Sequence, residues 1–499
     1  MQSFGKVVRI HTSDSVAVAL HEIASEEQID LGDRIVTIKD DIKTGHKVAI
    51  RDIKKDEDII KYGYPIGHAT QNITQGSFVH SRNMKTNLEG LKEYSYNPSV
   101  DWNRHSNFKD IPTFDGYLRE DGQAGVRNEI WIIPTVGCVN KTAEKLALLA
   151  NEKYKGRAID GIFSFGHPNG CSQLGDDHRN TQKILSGLIK HPNTGGVLVI
   201  GLGCENNNIE EMKKVLGKVP ERVEFLNTQD IVDEIEEGLA LLDILVNKAE
   251  GFKRQSVPIS KLKVGLKCGG SDGFSGITAN PLIGAFSDML VSLGGTSILT
   301  EVPEMFGAET ILMDRCMNRE IFDKTVCLIN DFKSYFLRYG QTIYENPSPG
   351  NKEGGITTLE EKSLGCTQKG GTSPVVSVLK YGEQAVVSGL NLMNGPGNDI
   401  VSTTALTAAG AHLVLFSTGR GTPLGCPVPT VKISSNSELD GKKPKWIDYN
   451  AGVILEGQTI ERSSQDFFDL ICQIASGKKA RNEENDYREI AIFKDGVTL

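Results

Sequence analysis

Apolar residues recur at every second position through residues 6–10, 16–20, 34–38 and 47–50, with Gly32, Gly45 and Gly63 between them. That period puts one face of each segment inside and the other in water, so it predicts strands. Closely spaced turns then predict a small β-rich domain over residues 1–90. From 91 to 112 no apolar period survives, and the segment reads as a linker. Beyond Phe114 the pattern changes. Apolar runs at 130–136, 161–165 and 196–202 each lead to a Gly-Cys pair (Gly137-Cys138, Gly170-Cys171, Gly203-Cys204) and then to helix-forming residues. Buried strands alternating with helices make an α/β sheet whose loops gather on one edge. Residues 113–250 are therefore expected to form a middle α/β domain, closed by an amphipathic helix within 228–246.

A polar stretch ending in Pro258 marks the next boundary. Residues 264–266 predict a buried strand, a turn of Gly, Ser and Asp follows, and a helix is expected to begin near Ser275 or Thr278. The same style recurs at 295–304, 389–399 and 412–423, around a helical stretch at 312–339 and a turn-rich loop at 346–358. Residues 251–499 are expected to form a C-terminal α/β domain with a mostly parallel sheet.

Composition narrows the class. The chain has 499 residues, more than one compact core holds, so several domains are expected. No apolar run approaches the ~18 residues of a membrane span, and the first residues lack the pattern of a signal peptide. A cytoplasmic protein without membrane partners is the expectation. A net charge of −9 without a long basic run argues against nucleic acid. Nine cysteines in such a chain suggest reduced thiols rather than a disulfide framework.

The strand ends carry the chemistry. Asp272, Glu301, Glu304 and Asp399 are carboxylates placed to bind a divalent cation through oxygen. Lys369, Arg420 and the turn of Gly269, Gly270 and Ser271 suit the carboxylate of a small hydroxy acid. A metal beside a bound carboxylate favours loss of the α-proton, which suits elimination of water from a sugar acid. Helix caps account equally well for Asp272 and Asp399. An iron–sulfur cluster on Cys138, Cys171 and Cys204 is an alternative, although no C-x-x-C pair supports it. No G-x-G-x-x-G follows an early strand, which argues against a nicotinamide dehydrogenase.

Six blocks carry a resemblance: DGQAGVRNEIWIIPTVGCVN at 121–140, GCSQLGDDH at 170–178, VIGLGCENN at 199–207, CGGSDGFSGITANP at 268–281, LTEVPEMFGAE at 299–309 and REIAIFKDGVTL at 488–499. Together with YENPSPGNK at 344–352 and SLGCTQK at 363–369, they resemble the altronate/galactarate dehydratase family from end to end. The resemblance implies an N-terminal SAF-type β-clip domain, a middle domain that pairs two copies into a homodimer, and a Rossmann-like C-terminal domain with a metal site. It implies dehydration of D-altronate to 2-dehydro-3-deoxy-D-gluconate in galacturonate breakdown, with Fe2+, or Mn2+ in its place.

The loops then nominate residues for these roles. Asp272, Glu301, Glu304 and Asp399 are the expected metal ligands, with Cys366 added because iron accepts thiolate. His167, His178 and Lys369 are the expected acid–base groups. His46, His68 and Arg82 of the small domain, with Gly269, Gly270, Ser271 and Arg420, are expected to hold the substrate. A galactarate dehydratase is the near alternative, and a sugar-acid sensor without turnover the far one.

Overall fold

The computed structural model describes residues 1–99 and 111–499; residues 100–110 of the expected linker lie outside the described residues. In the N-terminal domain, Gln2–Phe4, Val7–Arg9, Val16–Ala19, Lys47–Ala49 and Phe78–Val79 form a five-stranded antiparallel sheet. Asp58–Lys61, Tyr64–Ala69 and Met84–Lys85 form a second, three-stranded one. Val16, Ala49, Ile59, Ile66 and Val79 pack together, and Ala308 and Leu364 of the C-terminal domain join the same core. The small domain is therefore seated on the large one by apolar burial.

Four parallel strands make the middle sheet, in the order Ile162–Ser164, Glu129–Pro134, Thr194–Gly201, Val223–Asn227. Both central strands are buried along their whole length, as a sheet covered on two faces requires. Helices Asn140–Lys153 and Glu234–Ala249 cover one face. Helix Gly175–Ile189 covers the other and packs on Asp399–Ala408 of the C-terminal domain. The two helices approach so closely that a Cβ on Gly187 would stand 2.3 Å from the Ala408 carbonyl oxygen.

The C-terminal sheet has seven parallel strands, in the order Val375–Leu379, Gly389–Met393, Thr296–Leu299, Lys263–Cys268, Leu413–Thr418, Thr430–Ser434, Tyr449–Asn450. From Lys263–Cys268 the chain first moves to one side and later returns to build the other. Its carboxyl end is a switch point, where ligands bind in open α/β sheets. The molecule is thus multidomain: an antiparallel β-rich N-terminus, a middle α/β unit and a C-terminal unit on a parallel sheet. Among the described residues no helix is long and apolar enough to cross a membrane.

Two expected elements take a definite form. Of the two starts expected for the helix after Lys263–Cys268, Thr278 is the one observed, as the N-cap of Ala279–Ser292, because Asp272 first holds a turn through the backbone N–H groups of Phe274 and Ser275. The stretch 312–339 is split into Glu309–Met313 and Arg319–Arg338, and Asn318 caps the second helix by accepting from Ile321 N.

Candidate active site

Cys268 ends the strand Lys263–Cys268. Glu301 and Glu304 follow Thr296–Leu299, Glu301 at φ +70 and Glu304 in the short turn Val302–Met305. A left-handed glutamate is strained, and such strain gathers at functional sites. Cys366 closes helix Leu359–Cys366, and Lys369 lies in the turn after it. The Cys268 and Cys366 sulfurs stand 3.4 Å apart, and Glu304 Oε2 is 3.2 Å from the first and 3.1 Å from the second. All three side chains are buried. Lys369 Nζ donates to Cys268 Sγ at 2.8 Å and lies 3.3 Å from Glu301 Oε2.

Lysines surround this cluster. Lys362 pairs with Glu304 at 2.8 Å, while Lys267 pairs with Glu301 and, at 2.8 Å, with Asp399. Burial opposes the Glu304 charge, but Lys362, Lys267 and Lys369 outweigh it and hold the carboxyl at about 2. For Glu301, burial prevails over Lys267 and, with Glu304 adding to it, pushes the carboxyl up.

Cys268, Glu304 and Cys366 form a candidate metal-coordinating cluster, their ligand atoms all within 4.8 Å of one another. Two soft sulfurs and one carboxylate suit a transition metal better than magnesium or calcium. Three protein ligands also leave a position for substrate, as catalytic sites require.

The N-terminal domain reaches the same place. Tyr62 and Gly63 turn the hairpin between Asp58–Lys61 and Tyr64–Ala69 with φ of +62 and +81. Such two-residue turns favour Asn-Gly, so the tyrosine is there for its side chain. Its hydroxyl would lie 2.4 Å from a Cβ on Gly276, and only glycine leaves it room. Tyr62 lines a cavity of ≈ 10 Å³ with Cys366, Lys362, Asn280 and Ser271. The Ser271 hydroxyl is buried there without a hydrogen-bond partner among the described residues. Asp272 lines both this cavity and a cleft of ≈ 700 Å³ between the two domains, where His21 and Thr44 face Arg420 and Asn436.

The comparisons with known proteins agree with this architecture. The profile "Altronate/galactarate dehydratase SAF domain" matches residues 5–87. "D-galactarate dehydratase/Altronate hydrolase, second domain" matches 116–250, and "D-galactarate/Altronate dehydratase, C-terminal" matches 259–498. An altronate dehydratase of Bacillus subtilis (strain 168) is 54% identical over 100% of both chains. The chain belongs to the altronate/galactarate dehydratase family. An altronate dehydratase of Escherichia coli (strain K12) is 52% identical over 99% of each chain, and the galactarate dehydratase (L-threo-forming) of the same organism is 33% identical over 97% of this chain and 96% of its own.

In this family member the residues nominated by the loops divide into groups. Glu304, Cys366 and Lys369 come together, with Glu301 against them and Asp399 one lysine further out. Asp272 does not join them. Its Oδ1 accepts from Phe274 N, Ser275 N, Ser275 Oγ and Ser435 Oγ, and its Oδ2 from Asn436 Nδ2. A carboxylate so fully engaged is a turn cap. His167 is buried in the middle domain, Nε2 2.8 Å from Pro134 O and Nδ1 accepting from Asn169 N. His178 lies half-buried on Gly175–Ile189. Neither lies in the cluster.

Ser271 faces the small cavity and Arg420 the cleft. Gly269 and Gly270 pack beside Asp399 and Thr418. His46 meets the Glu353 carbonyl oxygen at 3.0 Å, and Glu353 pairs with Arg420. His68 bonds to Asn87 away from this group, and Arg82 is exposed. Cys268, Lys362, Lys267 and Tyr62 were absent from the nominated set. Among them Cys268 carries a sequence signal, opening the 268–281 block beside the Asp272 turn.

Proposed function

We propose that this chain is a hydro-lyase that converts D-altronate to 2-dehydro-3-deoxy-D-gluconate and water in galacturonate breakdown. The observation that carries this reading is the buried Cys268–Glu304–Cys366 cluster with Lys369 at 2.8 Å from Cys268. The full-length likeness to altronate dehydratases of two bacteria supports the substrate. Fe2+ is the metal we propose, since paired thiolates favour a softer ion than Mn2+. A homodimer joined through the middle domains belongs to the same proposal and rests on the family resemblance.

When bound, the metal supplies Lewis acidity at the substrate carboxylate. Lys362 and Lys369 stabilise the charge that gathers there as C2 loses its proton. Glu301, held beside Cys268 and Lys369, is the base this geometry offers. Ser271 donates its free hydroxyl to the substrate, and Tyr62 protonates the hydroxyl leaving C3, which departs as water. The C2 enol then takes a proton at C3 and becomes the 2-keto acid. The sugar chain extends past Asp272 into the cleft toward Arg420.

Anaerobically purified protein is to be assayed with D-altronate and with galactarate, in ferrous iron, manganous ion or chelator, for a 2-keto-3-deoxy acid. Product from D-altronate with metal and none with chelator is expected. Turnover of galactarate alone moves the substrate to the near alternative. Altronate binding without product from either acid makes the chain a sensor.

A further inference from the structure

Three of the four exposed cysteines stand on one edge of the middle domain, outside the Cys268–Glu304–Cys366 cluster. Cys171, Cys138 and Cys204 follow Ile162–Ser164, Glu129–Pro134 and Thr194–Gly201, three neighbouring parallel strands, so their loops leave the same edge. Those loops are bonded to one another. Gly137 N donates to Asn169 O at 3.0 Å, Asn207 N to Gly170 O at 2.9 Å, and Ser172 N to Asn206 Oδ1 at 2.9 Å. Asn207 Nδ2 donates to Thr135 O at 3.0 Å, and Thr135 Oγ1 to Glu205 Oε1 at 2.6 Å. His167 staples the Cys171 loop to the end of the Cys138 strand. At Gly170, φ +103, a Cβ would stand 2.0 Å from Thr135 O, so the loops meet backbone to backbone.

All this buried order supports loops whose solvent face presents thiols. Cysteine is ordinarily among the most buried residues, and side chains locked from behind are the supporting shell of a binding site. A second observation points the same way. Asn207 Oδ1 and Gln173 Nε2, on residues 0% and 4% exposed, have no hydrogen-bond partner among the described residues. A buried polar group left without a partner is costly and calls for an explanation beyond the protein's own contacts.

A lone ion does not fit the three thiols. At about 2.3 Å per metal–sulfur bond, two sulfurs on one ion stand no more than about 4.6 Å apart. Among the described residues the ligand atoms of Cys268, Glu304 and Cys366 all lie within 4.8 Å of one another, and the sulfurs of Cys138, Cys171 and Cys204 do not. A cluster whose irons each take one thiolate spans a wider triangle. We propose that Cys138, Cys171 and Cys204 hold an iron–sulfur cluster on the carboxyl edge of the middle sheet, as a second centre. Ferrous iron, ferric iron and inorganic sulfide are the co-reactants, two of each iron and four sulfides per four-iron cluster, so no electron is gained or lost, and each thiol gives up its proton as its sulfur bonds to iron. With three protein ligands, a four-iron cluster keeps one iron open to a carboxylate or hydroxyl oxygen.

The full chain is to be incubated anaerobically with equal amounts of ferrous and ferric iron and with sulfide, desalted, and assayed for iron, acid-labile sulfide and visible charge-transfer absorption. Wild type is expected to retain sulfide. Cys138→Ser, Cys171→Ser and Cys204→Ser are expected to lose most of it at unchanged circular dichroism, and Cys327→Ser to keep it. Cys268→Ser separates the two centres: it should keep the sulfide while altering metal at the C-terminal cluster. Thiol alkylation of wild type, mapped by mass spectrometry, guards against misfolded variants, since the three cysteines should be protected after reconstitution and reactive before. No sulfide in wild type, sulfide undiminished in the three variants, or equal alkylation before and after would overturn the proposal. So would iron bound there without sulfide.

Discussion

Lys47 and Glu361, 314 residues apart in sequence, meet at 2.8 Å with each side chain 1% exposed. Lys61 takes the other Glu361 oxygen at 2.7 Å, and Lys47 also donates to Gly355 O and Thr357 Oγ1. Thr86 and the Asn87 N–H hold the adjacent Glu360. Glu361 rides on the helix that ends in Cys366, so the small domain positions a candidate metal ligand from outside the large one.

Removing one member of this triad should therefore be felt at the metal. Glu361→Gln strips the counter-charge from two buried ammonium groups, whereas Lys47→Met leaves Glu361 with Lys61. Breaking a buried pair costs about 3–5 kcal/mol. Glu361→Gln is expected to lower the melting temperature more than Lys47→Met, and both to weaken iron binding in a titration. Equal metal affinity in all three proteins would show that the docked domain does not position Cys366.

Asp272 and the two thiols predict opposite phenotypes. Cys268→Ser and Cys366→Ser should lose metal at little cost to the metal-free fold, because serine keeps the shape but not the soft donor. Asp272→Ala orphans the donors of a buried turn and should cost about 1–3 kcal/mol or more. Metal analysis beside urea denaturation separates them. Metal lost in Asp272→Ala at unchanged stability would return Asp272 to the ligand set.

What was legible in the sequence follows the range of each signal. Period and glycine turns are local, so the strand ending at Cys268, the Gly-Cys edge of the middle sheet and the three-part organisation were readable. Glu304, Cys366 and Lys369 were readable as chemistry at element ends. That Cys268 joins Cys366 was not, because the contact spans 98 residues and no spacing rule reaches that far. Asp272 and His167 misled for one reason: a carboxylate or imidazole in a loop looks alike whether it caps backbone or faces substrate. Tyr62 was hidden because its signal is a backbone angle.

Tyr62→Phe removes one oxygen and keeps the ring against Gly276. If the hydroxyl protonates the leaving group, kcat should fall about 10²–10⁴-fold with KM nearly constant. Steady-state kinetics on D-altronate reads this directly. A raised KM with unchanged kcat would make Tyr62 a binding contact only.

The seam between middle and C-terminal domains should make the protein acid-sensitive through His191. Its ring stacks on Trp131, Nε2 donates to the Ala411 carbonyl at 3.1 Å, and Nδ1 accepts from Asn193 N. Both nitrogens are thus committed to the neutral form. Burial, against the Ala411 bond and aided by Arg222 and Lys263, pulls its pKa from 6.5 to about 3. The folded value lies below the unfolded one, so between them the unfolded chain binds the extra proton. Stability from the neutral ring is therefore complete above pH 6.5 and falls as pH drops toward 3, by up to about 4–5 kcal/mol at one pKa unit per 1.36 kcal/mol. His191→Gln keeps a donor for Ala411 without the titration. Urea midpoints at neutral pH and at successive points below 6.5 should fall more steeply in wild type than in this variant, since other titrating groups, buried His412 among them, act on both. Parallel curves would place the acid sensitivity elsewhere.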